Sequence, residues 1–369
     1  MAVQLKSDPS LKTKMNVIGF AILRNGVMYD YPFRESLRSL SNLCSETFLA
    51  LGKGTDPTEI EIAKLSDLHL KIIPTVWDES RREGGRVLSD QTNISLEEIR
   101  KKYSTGWAFY LQSDEVLCEW EAQQILNDLK TAESLGCDAV SFRYLHFWQT
   151  TDRIAIDKKW YPEEVRAIRI DSSIRSSGDA QGFSGVNRVY QSDAHVFHYG
   201  HVRERSAYER KKKDFHRWWH PDSEIEAIVE KAKKRDQRER TLPYFGPHPA
   251  VMADRLQNTS SEGEEHEKGE ILVYGSPDQV PESIRAQIPQ NGIRWTNRWA
   301  DLLRQVPTRC VLLRDLSLMQ RLRTRFRYGS AVPHQMLSDR ARPWEPTIHV
   351  ILKFSERGIS LAGRPNRVE

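Results

Sequence analysis

The sequence has no long hydrophobic run and few cysteines. Within its 369 residues, no stretch approaches the roughly 18 consecutive apolar residues of a membrane-spanning helix, and the segment before residue 20 is too polar for a secretory signal peptide. We therefore expect a cytoplasmic protein, with contact at the inner face of the membrane as an open alternative. The cysteines are far apart and lack CxxC spacing, which is typical of reduced thiols in the cytosol; they are Cys44, Cys118, Cys137 and Cys310.

Motifs of several common protein classes are also absent. The glycine-rich segment GKGTDPT lacks the GxxxxGK[ST] spacing of a P-loop. No GxSxG sequence occurs, which argues against an α/β-hydrolase. A net charge of only +4 and the lack of a known nucleic-acid-binding motif argue against a nucleic-acid partner. Basic residues do cluster in residues 203–240 and 321–327, and such patches can contact phosphates or an anionic membrane. For the first cluster, a solvated helix face is the favoured interpretation.

What the sequence does have is an alternation of strand-like and helix-like segments. Buried-type strands are predicted at residues 17–23, 46–52, 70–77, 107–112 and 138–147. Helical periodicity lies between them, at residues 31–43, 58–67, 88–102 and 119–135. This order predicts an α/β fold with a mostly parallel central sheet.

The rest of the chain predicts a second, smaller unit. Residues 257–270 have the composition of a linker, and a shorter alternation of strand and helix follows. We predict a disordered lead at residues 1–15, a main domain at 16–256, the linker at 257–270, a small α/β accessory domain at 271–356 and a loose tail at 357–369. A homo-oligomer is an open possibility, because an accessory domain can serve assembly.

Polar and acidic residues follow the predicted strands of the main domain. Asn25 follows the first strand, Asp78 the third, and Asp114 with Glu115 the fourth. In open α/β sheets, ligands bind beyond the carboxyl ends of the strands. A carboxylate there can hold Mg²⁺ or Mn²⁺ against a diphosphate. The alternative is that Asp114 only caps the helix that follows.

The segment WAFYLQSDEVLCE, residues 107–119, resembles the acidic signature of family-2-type glycosyltransferases with a GT-A fold. More narrowly, it is similar to a bacterial subgroup with the pattern W-x-F-Y-L-Q-x-D-E-V-x-x-E. Further segments resemble this group in the same order along residues 16–256: GKGTDPTEIEIAKL, VWDESRREGGRVLSDQTNISLE, YLHFWQ, WYPEEVRAIR, DAQGF, VFHYGHVR and YFGPHPAVMADRL.

The resemblance implies a GT-A domain, which has a Rossmann-like sheet, and an inverting transfer of a sugar from a nucleoside diphosphate sugar to an acceptor hydroxyl. The acceptor would be a glycan or a lipid-linked glycan in the synthesis of a surface polysaccharide or glycolipid. It implies Mg²⁺ or Mn²⁺ as the cofactor, with Asp114 and His198 as its ligands. The candidates for substrate binding are Asn25, Asp56, Asp78, Arg82, Gln91, Asn93, Gln112, Asp114 and Arg203.

One departure from the broader family concerns the metal. Most members have D-x-D at this strand end, whereas here Gln112 replaces the first acid and Asp114 remains. A metal site is the favoured interpretation. One alternative is a site in which Arg81, Arg82 or Arg203 offsets the phosphate charge. Another is a degenerate GT-A module that binds a nucleotide or glycan without turnover.

The general base that an inverting transfer needs is not fixed by the sequence. Such a base deprotonates the acceptor hydroxyl as the diphosphate leaves. Glu119 and Asp179 are the candidates, with Glu164 as a further choice, and Glu119 belongs to the recognised pattern. A zinc site made of His195, His198 and His201 is not expected, because alternation along a strand would turn the middle imidazole away from the other two.

Overall fold

The computed structural model describes residues 15–81, 83–151, 153–155, 159–216, 222–236, 239, 241–243 and 248–259, together with five strands beyond residue 270. Residues 1–14 of the predicted lead and most of the predicted linker lie outside these residues. The division into domains therefore stays a prediction.

The first part of the chain alternates strands and helices as the sequence predicts. The β1 strand is buried along its whole length. Helix α1 packs on one face of it through Leu40, and α3 packs on the other face through Leu96 and Ile99. The elements are β1 (Val17–Leu23), α1 (Phe33–Leu43), β2 (Glu46–Gly52), α2 (Thr58–Ala63), β3 (Leu70–Thr75), α3 (Arg86–Lys102) and β4 (Trp107–Tyr110).

The second part contains more strands than the sequence predicts. Residues Glu163–Arg169 form the strand β8, and residues Val189–His201 form the long strand β11, neither of which is among the strands predicted above. The elements are β5 (Glu115–Leu117), α4 (Ala122–Ser134), β6 (Ala139–Trp148), β7 (Arg153–Ala155), β8 (Glu163–Arg169), β9 (Arg175–Ser177), β10 (Gly182–Ser184), β11 (Val189–His201), α5 (Arg205–His216), α6 (Ile225–Asp236), β12 (Thr241–Pro243) and α7 (Ala253–Thr259).

These strands form a ten-stranded mixed sheet, not the mostly parallel one predicted. Along its main path the order is β12-β7-β6-β8-β4-β1-β2-β3. Strands β4, β1, β2 and β3 run parallel to one another. The β8 strand is antiparallel to both β4 and β6, while β11 is parallel to β6 and antiparallel to β5. Periodicity identifies a buried strand but not the direction of its neighbours, which is why this part of the prediction was wrong.

The register brings the carboxyl ends of β1 and β4 together. Phe20 lies opposite Tyr110, and the Ser113 hydroxyl beyond β4 donates to the Ile22 carbonyl oxygen at 2.6 Å. The chain then returns as β5, which pairs with β11 so that Glu115 lies opposite His198. Asp114 is thereby held between the carboxyl ends of the parallel strands β1 and β4 and the last residues of β11.

The strands beyond residue 270 form a separate five-stranded sheet in the order β14-β13-β15-β16-β17. Strands β14, β13, β15 and β16 run parallel to one another, while β17 is antiparallel to β16 and falls within the segment predicted to be a loose tail. The helices predicted for this unit lie outside the described residues. In the described parts of the chain, no helix combines the length and apolar character needed to cross a bilayer. These strands are β13 (Ile271–Tyr274), β14 (Ile293–Thr296), β15 (Cys310–Leu312), β16 (His349–Ser355) and β17 (Gly358–Leu361).

Candidate functional site

A cleft of about 460 Å³ opens at the carboxyl ends of β1 and β4. Its size is in the range of small-molecule sites in proteins. One wall comes from the loop after β1, another from the segment 112–114, and a third from the loop before β10 and from α5. Its polar lining residues include Asn25, Tyr29, Tyr31, Gln112, Ser113, Asp114, Tyr161, Asp179, Gln181, His198, Lys211 and Asp214.

Glu115 is buried beneath the cleft and has a structural role. Its carboxylate is fully buried and accepts two hydrogen bonds from the Arg166 guanidinium, at 2.8 and 3.0 Å. The Tyr144 hydroxyl and the Gln112 backbone N–H also donate to it. Arg166 in turn donates to the Gln181 carbonyl oxygen on the opposite wall of the cleft. Glu115 therefore joins the signature segment to the rest of the sheet.

Asp114 lines the cleft and is only 6% exposed. Its Oδ2 atom accepts from Lys211 Nζ at 3.2 Å and from an Arg203 nitrogen at 3.4 Å. Its backbone carbonyl oxygen accepts from the Tyr199 N–H at 2.8 Å, which fixes the main chain. Helix α4 begins only at Ala122, and no side-chain hydrogen bond caps it. The alternative in which Asp114 is merely a helix cap is therefore wrong.

The charges around Asp114 hold it ionised. Burial by itself raises the pKa of the carboxyl group, but Lys211, His198 and Arg203 together hold that pKa well below its usual value. Burial and the neighbouring Arg203 lower the pKa of Lys211 to about 8, against the opposing effect of Asp114. Near neutral pH Asp114 is thus a carboxylate contacted by two cations, Lys211 and Arg203, which gives a local excess of positive charge around Asp114, while Asp179 and Asp214 line the cleft elsewhere.

An aromatic ring supports the two cations. The Arg203 guanidinium carbon lies 4.7 Å from the centre of the Tyr31 ring, and Lys211 Nζ lies 4.8 Å from it. Arg203 also donates to the Tyr29 carbonyl oxygen at 2.7 Å. These contacts connect α5 and the end of β11 to the loop after β1. They hold the cations in place before any ligand enters.

His198 approaches Asp114 from β11. Its Nε2 atom is 3.8 Å from Asp114 Oδ1, the carboxylate oxygen that faces away from the two cations. The approach depends on Gly200, because a Cβ atom at that position would lie 2.4 Å from His198 Nε2 and 2.8 Å from Asp114 Oδ2. A bulge between His198 and His201 interrupts the alternation of side chains along β11. The two imidazole rings therefore lie close together, with their centres 5.9 Å apart.

Asp114 and His198 are the residues of the cleft that would hold a divalent cation. A carboxylate oxygen of Asp114 and an imidazole nitrogen of His198 face each other across a gap. The gap stays open because Gly200 has no side chain to fill it. Within the described residues, no group of three or more His, Cys, Asp or Glu is arranged to hold an ion. The protein would then supply two ligands, and phosphate oxygens and water the others, as is usual for Mg²⁺.

Three of the substrate-binding or catalytic candidates predicted from the sequence line the cleft with Asp114 and His198. Asn25 has a left-handed backbone (φ 53°), and its Oδ1 accepts from the Thr55 N–H. Gln112 donates its side-chain amide to the Ala180 carbonyl oxygen at 3.2 Å. Asp179 accepts from the Gln181 N–H at 3.3 Å. The Gln112 amide is thus already engaged in holding the opposite wall.

Two further candidates support the cleft without lining it. Asp56 accepts from the Met28 N–H at 2.6 Å and from the Thr58 N–H at 3.1 Å, so it ties the loop after β1 to the start of α2. Asn93 exchanges two hydrogen bonds with the Ser176 backbone and holds β9 against α3. Arg203 reaches Asp114, as described above.

The other candidates lie elsewhere. Asp78 is exposed, and its carboxylate accepts from the Ser80 N–H and hydroxyl. Gln91 is buried on α3, with its amide 3.5 Å from the Val76 carbonyl oxygen. Both carboxylate oxygens of the exposed Glu119 are 3.2 Å from the Ala250 N–H, and among the described residues Glu119 is not part of the cleft lining. Arg82 lies outside the described residues.

Lys211 is the main site residue that the sequence did not reveal. It belongs to the basic segment of α5, which was interpreted as a solvated helix face, and the neighbouring Lys213 is indeed exposed. Of the arginines considered as phosphate ligands, Arg81 instead pairs with Asp90 on the surface. Nothing in the local pattern distinguishes Lys211 from its neighbours, because its position depends on how α5 packs against Tyr31.

Comparison with known proteins gives weak structural similarities only. No family model and no curated protein matches the chain. Among solved structures, S. aureus TarS 1-349 aligns with 58% of this chain and 69% of its own at 13% identity and a TM-score of 0.34. The complex of TarS 1-349 with UDP aligns with 60% of this chain and 71% of its own, at 14% identity and a TM-score of 0.34. The 4-diphosphocytidyl-2C-methyl-D-erythritolsynthase of Anaerococcus prevotii DSM 20548 aligns with 59% of this chain and 96% of its own, at 10% identity and a TM-score of 0.30. TM-scores of this size do not establish a common fold, so the assignment of function depends on the cleft itself.

Proposed function

We propose that the protein is a nucleotide-sugar-dependent glycosyltransferase with a GT-A domain, which transfers a sugar with inversion to a glycan or lipid-linked acceptor in surface polysaccharide or glycolipid synthesis. The observation that carries the proposal is the ionised, buried Asp114 at the carboxyl ends of β1 and β4, held between two cations and an imidazole. The ordered resemblance of residues 16–256 to family-2-type enzymes supports the same conclusion.

The charged residues would act on the diphosphate of the donor. Lys211 lines the cleft and supplies N–H donors beside Asp114, and such charge-assisted hydrogen bonds hold phosphate oxygens strongly. Arg203 is buried behind Asp114 and adds positive charge there. Asp114 and His198 would hold Mg²⁺ or Mn²⁺, which neutralises negative charge on the leaving diphosphate. Because the cations are already packed on Tyr31, little reorganisation is needed when the ligand binds.

For the general base we propose Asp179. It lines the cleft, and its partly buried carboxylate accepts only a long hydrogen bond, at 3.3 Å, among its described contacts. It can therefore accept a proton from an acceptor hydroxyl that enters beside Tyr161 and Gln181. Glu164 is not among the described residues that line the cleft, but it accepts a hydrogen bond at 2.9 Å from the side-chain amide of Gln181, which does line it. Burial raises the pKa of Glu164, which makes it the second candidate.

A donor panel tests the proposed reaction. The full chain is incubated with UDP-, GDP- and dTDP-sugars, with Mg²⁺, with Mn²⁺ or with EDTA, and the released nucleoside diphosphate is measured. We expect release from at least one donor, and a lower rate with EDTA. If no donor is turned over under any condition, the transferase proposal fails. Binding of UDP, GDP or dTDP without turnover would then favour the degenerate nucleotide-binding module.

Replacing Lys211 by methionine is expected to weaken binding of the nucleoside diphosphate by about 10- to 100-fold, since a hydrogen bond to a charged group contributes about 1.5–3 kcal/mol. Titration calorimetry with UDP, GDP and dTDP measures this change. Lys211→Arg keeps the cation and should stay closer to wild type.

The matched control is Lys213→Met, on the same helix but exposed, which should bind as the wild type does. Equal affinities for Lys211→Met and Lys213→Met would show that Lys211 is not a phosphate ligand. Thermal melts of each variant separate loss of binding from loss of folding.

A further inference from the structure

Two buried histidines lie in line behind the cleft. His146, on β6, is 3% exposed, and His198, on β11, is 7% exposed. Their Nδ1 atoms are 3.0 Å apart, which is hydrogen-bond distance. On the far side, His146 Nε2 lies 2.7 Å from the Tyr161 carbonyl oxygen. On the near side, His198 Nε2 faces Asp114 Oδ1.

The positions of the protons along this line follow from the partners. A carbonyl oxygen only accepts, so His146 must carry its proton on Nε2. Two nitrogen atoms 3.0 Å apart share a single proton. His146 is almost fully buried, which disfavours a charged imidazole, so with its proton on Nε2 its Nδ1 is a bare acceptor. His198 must then donate from Nδ1, which leaves its Nε2 lone pair pointing at Asp114.

We propose that His146 is a positioning residue that fixes His198 as the Nδ1–H tautomer and so makes His198 Nε2 a metal ligand opposite Asp114 Oδ1. The inference rests on the proposed function, because it concerns the cation expected at that site. It identifies a residue that the sequence pattern did not select. Metal-bound imidazoles commonly depend on such a partner at the other ring nitrogen, and removing the partner typically costs 10- to 100-fold in metal affinity.

The surroundings of His146 suit an orienting role. Its ring stacks on Tyr144, with ring centres 5.2 Å apart, and lies 4.9 Å from the centre of the Trp160 ring. These contacts prevent the ring from turning, so the direction of its hydrogen bond to His198 is fixed. Without that acceptor, His198 could instead place its proton on Nε2 and donate to Asp114, and it would no longer present a lone pair.

The test is Mn²⁺ binding to the metal-stripped full chain, measured by calorimetry without donor or acceptor. His146→Phe keeps an aromatic ring in the stack but cannot accept a hydrogen bond, and we expect its Kd for Mn²⁺ to rise 10- to 100-fold. His146→Asn places an amide oxygen near the position of Nδ1 and should restore affinity to within about threefold of wild type, given typical neutral hydrogen-bond energies.

A second measurement reads the tautomer directly. Long-range ¹H–¹⁵N spectra of the imidazole rings in the metal-free wild-type protein, assigned with a His198→Gln variant, should show His198 protonated at Nδ1 and bare at Nε2. This measurement needs no His146 variant, so the inference can be tested even if His146→Phe does not fold.

Several results would overturn the inference. These are a His198 ring protonated at Nε2, a folded His146→Phe variant with wild-type Mn²⁺ affinity, and an Asn variant as weak as the Phe variant at an equal melting temperature. If the wild-type chain binds no Mn²⁺, the inference also fails. The transferase proposal is judged separately in that case, by donor turnover in EDTA.

Discussion

Asp114→Asn should reduce donor turnover by about 100- to 1000-fold, the range expected when a preorganised charge at the leaving group is removed. The asparagine has nearly the same shape but carries no charge for a metal ion, and it leaves Lys211 and Arg203 without their shared carboxylate. The measurement is the rate of nucleoside diphosphate release with whichever donor the panel identifies, at saturating Mg²⁺ or Mn²⁺.

The control for this variant is Asp78→Asn, which makes the same chemical change at an exposed candidate that does not line the cleft in the described structure. Its turnover should match that of wild type. If Asp114→Asn keeps its turnover within about threefold, a difference of less than 1 kcal/mol, Asp114 does not hold the leaving group. Circular dichroism of both variants shows whether the site has lost its function or the chain its fold.

Glu115→Gln is expected to lower the free energy of unfolding by about 3–5 kcal/mol, because it removes one partner of a fully buried ion pair and leaves the other charge uncompensated. Arg166 is 0% exposed and has no route to solvent. Urea denaturation, with equal slopes for the variant and the wild type, measures the change.

Glu119→Gln is the matched control, an identical substitution a few residues later on an exposed side chain. It should cost less than about 1 kcal/mol, as surface substitutions usually do. Donor turnover also distinguishes Glu119 from Asp179 as the general base, since we expect Glu119→Gln to stay active and Asp179→Asn to lose activity. Equal urea midpoints for Glu115→Gln and Glu119→Gln would contradict the structural role of Glu115.

The sequence predicted the first part of the fold well because its elements are defined locally. The continuous apolar runs of β1 and β2 gave the observed bounds, and the periodicity of α1 and α3 gave helices that differ only at their starts. Cys44, Cys118 and Cys137 are buried and free, as expected. The direction of β8 and the length of β11 depend on pairing between distant segments, which no local pattern records.

The residues of the candidate site were likewise predicted only where a local sequence segment identifies them. Asp114, His198 and Arg203 were predicted from recognised segments, and the structure brings them together. Lys211 and His146 were not selected, because each acquires its role from a contact across the fold: Lys211 with Asp114, and His146 with His198. Glu119 lies within the recognised pattern but outside the cleft lining, since the chain turns away from the cleft into α4 after β5.

The two adjacent acids of the signature segment are therefore subject to different pressures. Glu115 is tied to Arg166 and would be retained in any descendant that must still fold, whether or not it is active. Asp114 lines the cleft and pairs with Lys211 and Arg203, so a descendant that lost the proposed reaction would no longer be selected to keep a carboxylate there for a ligand. Under the proposed function, the residue at position 114 is therefore the one that separates active from inactive chains of this type, whereas the residue at position 115 reports that the domain folds.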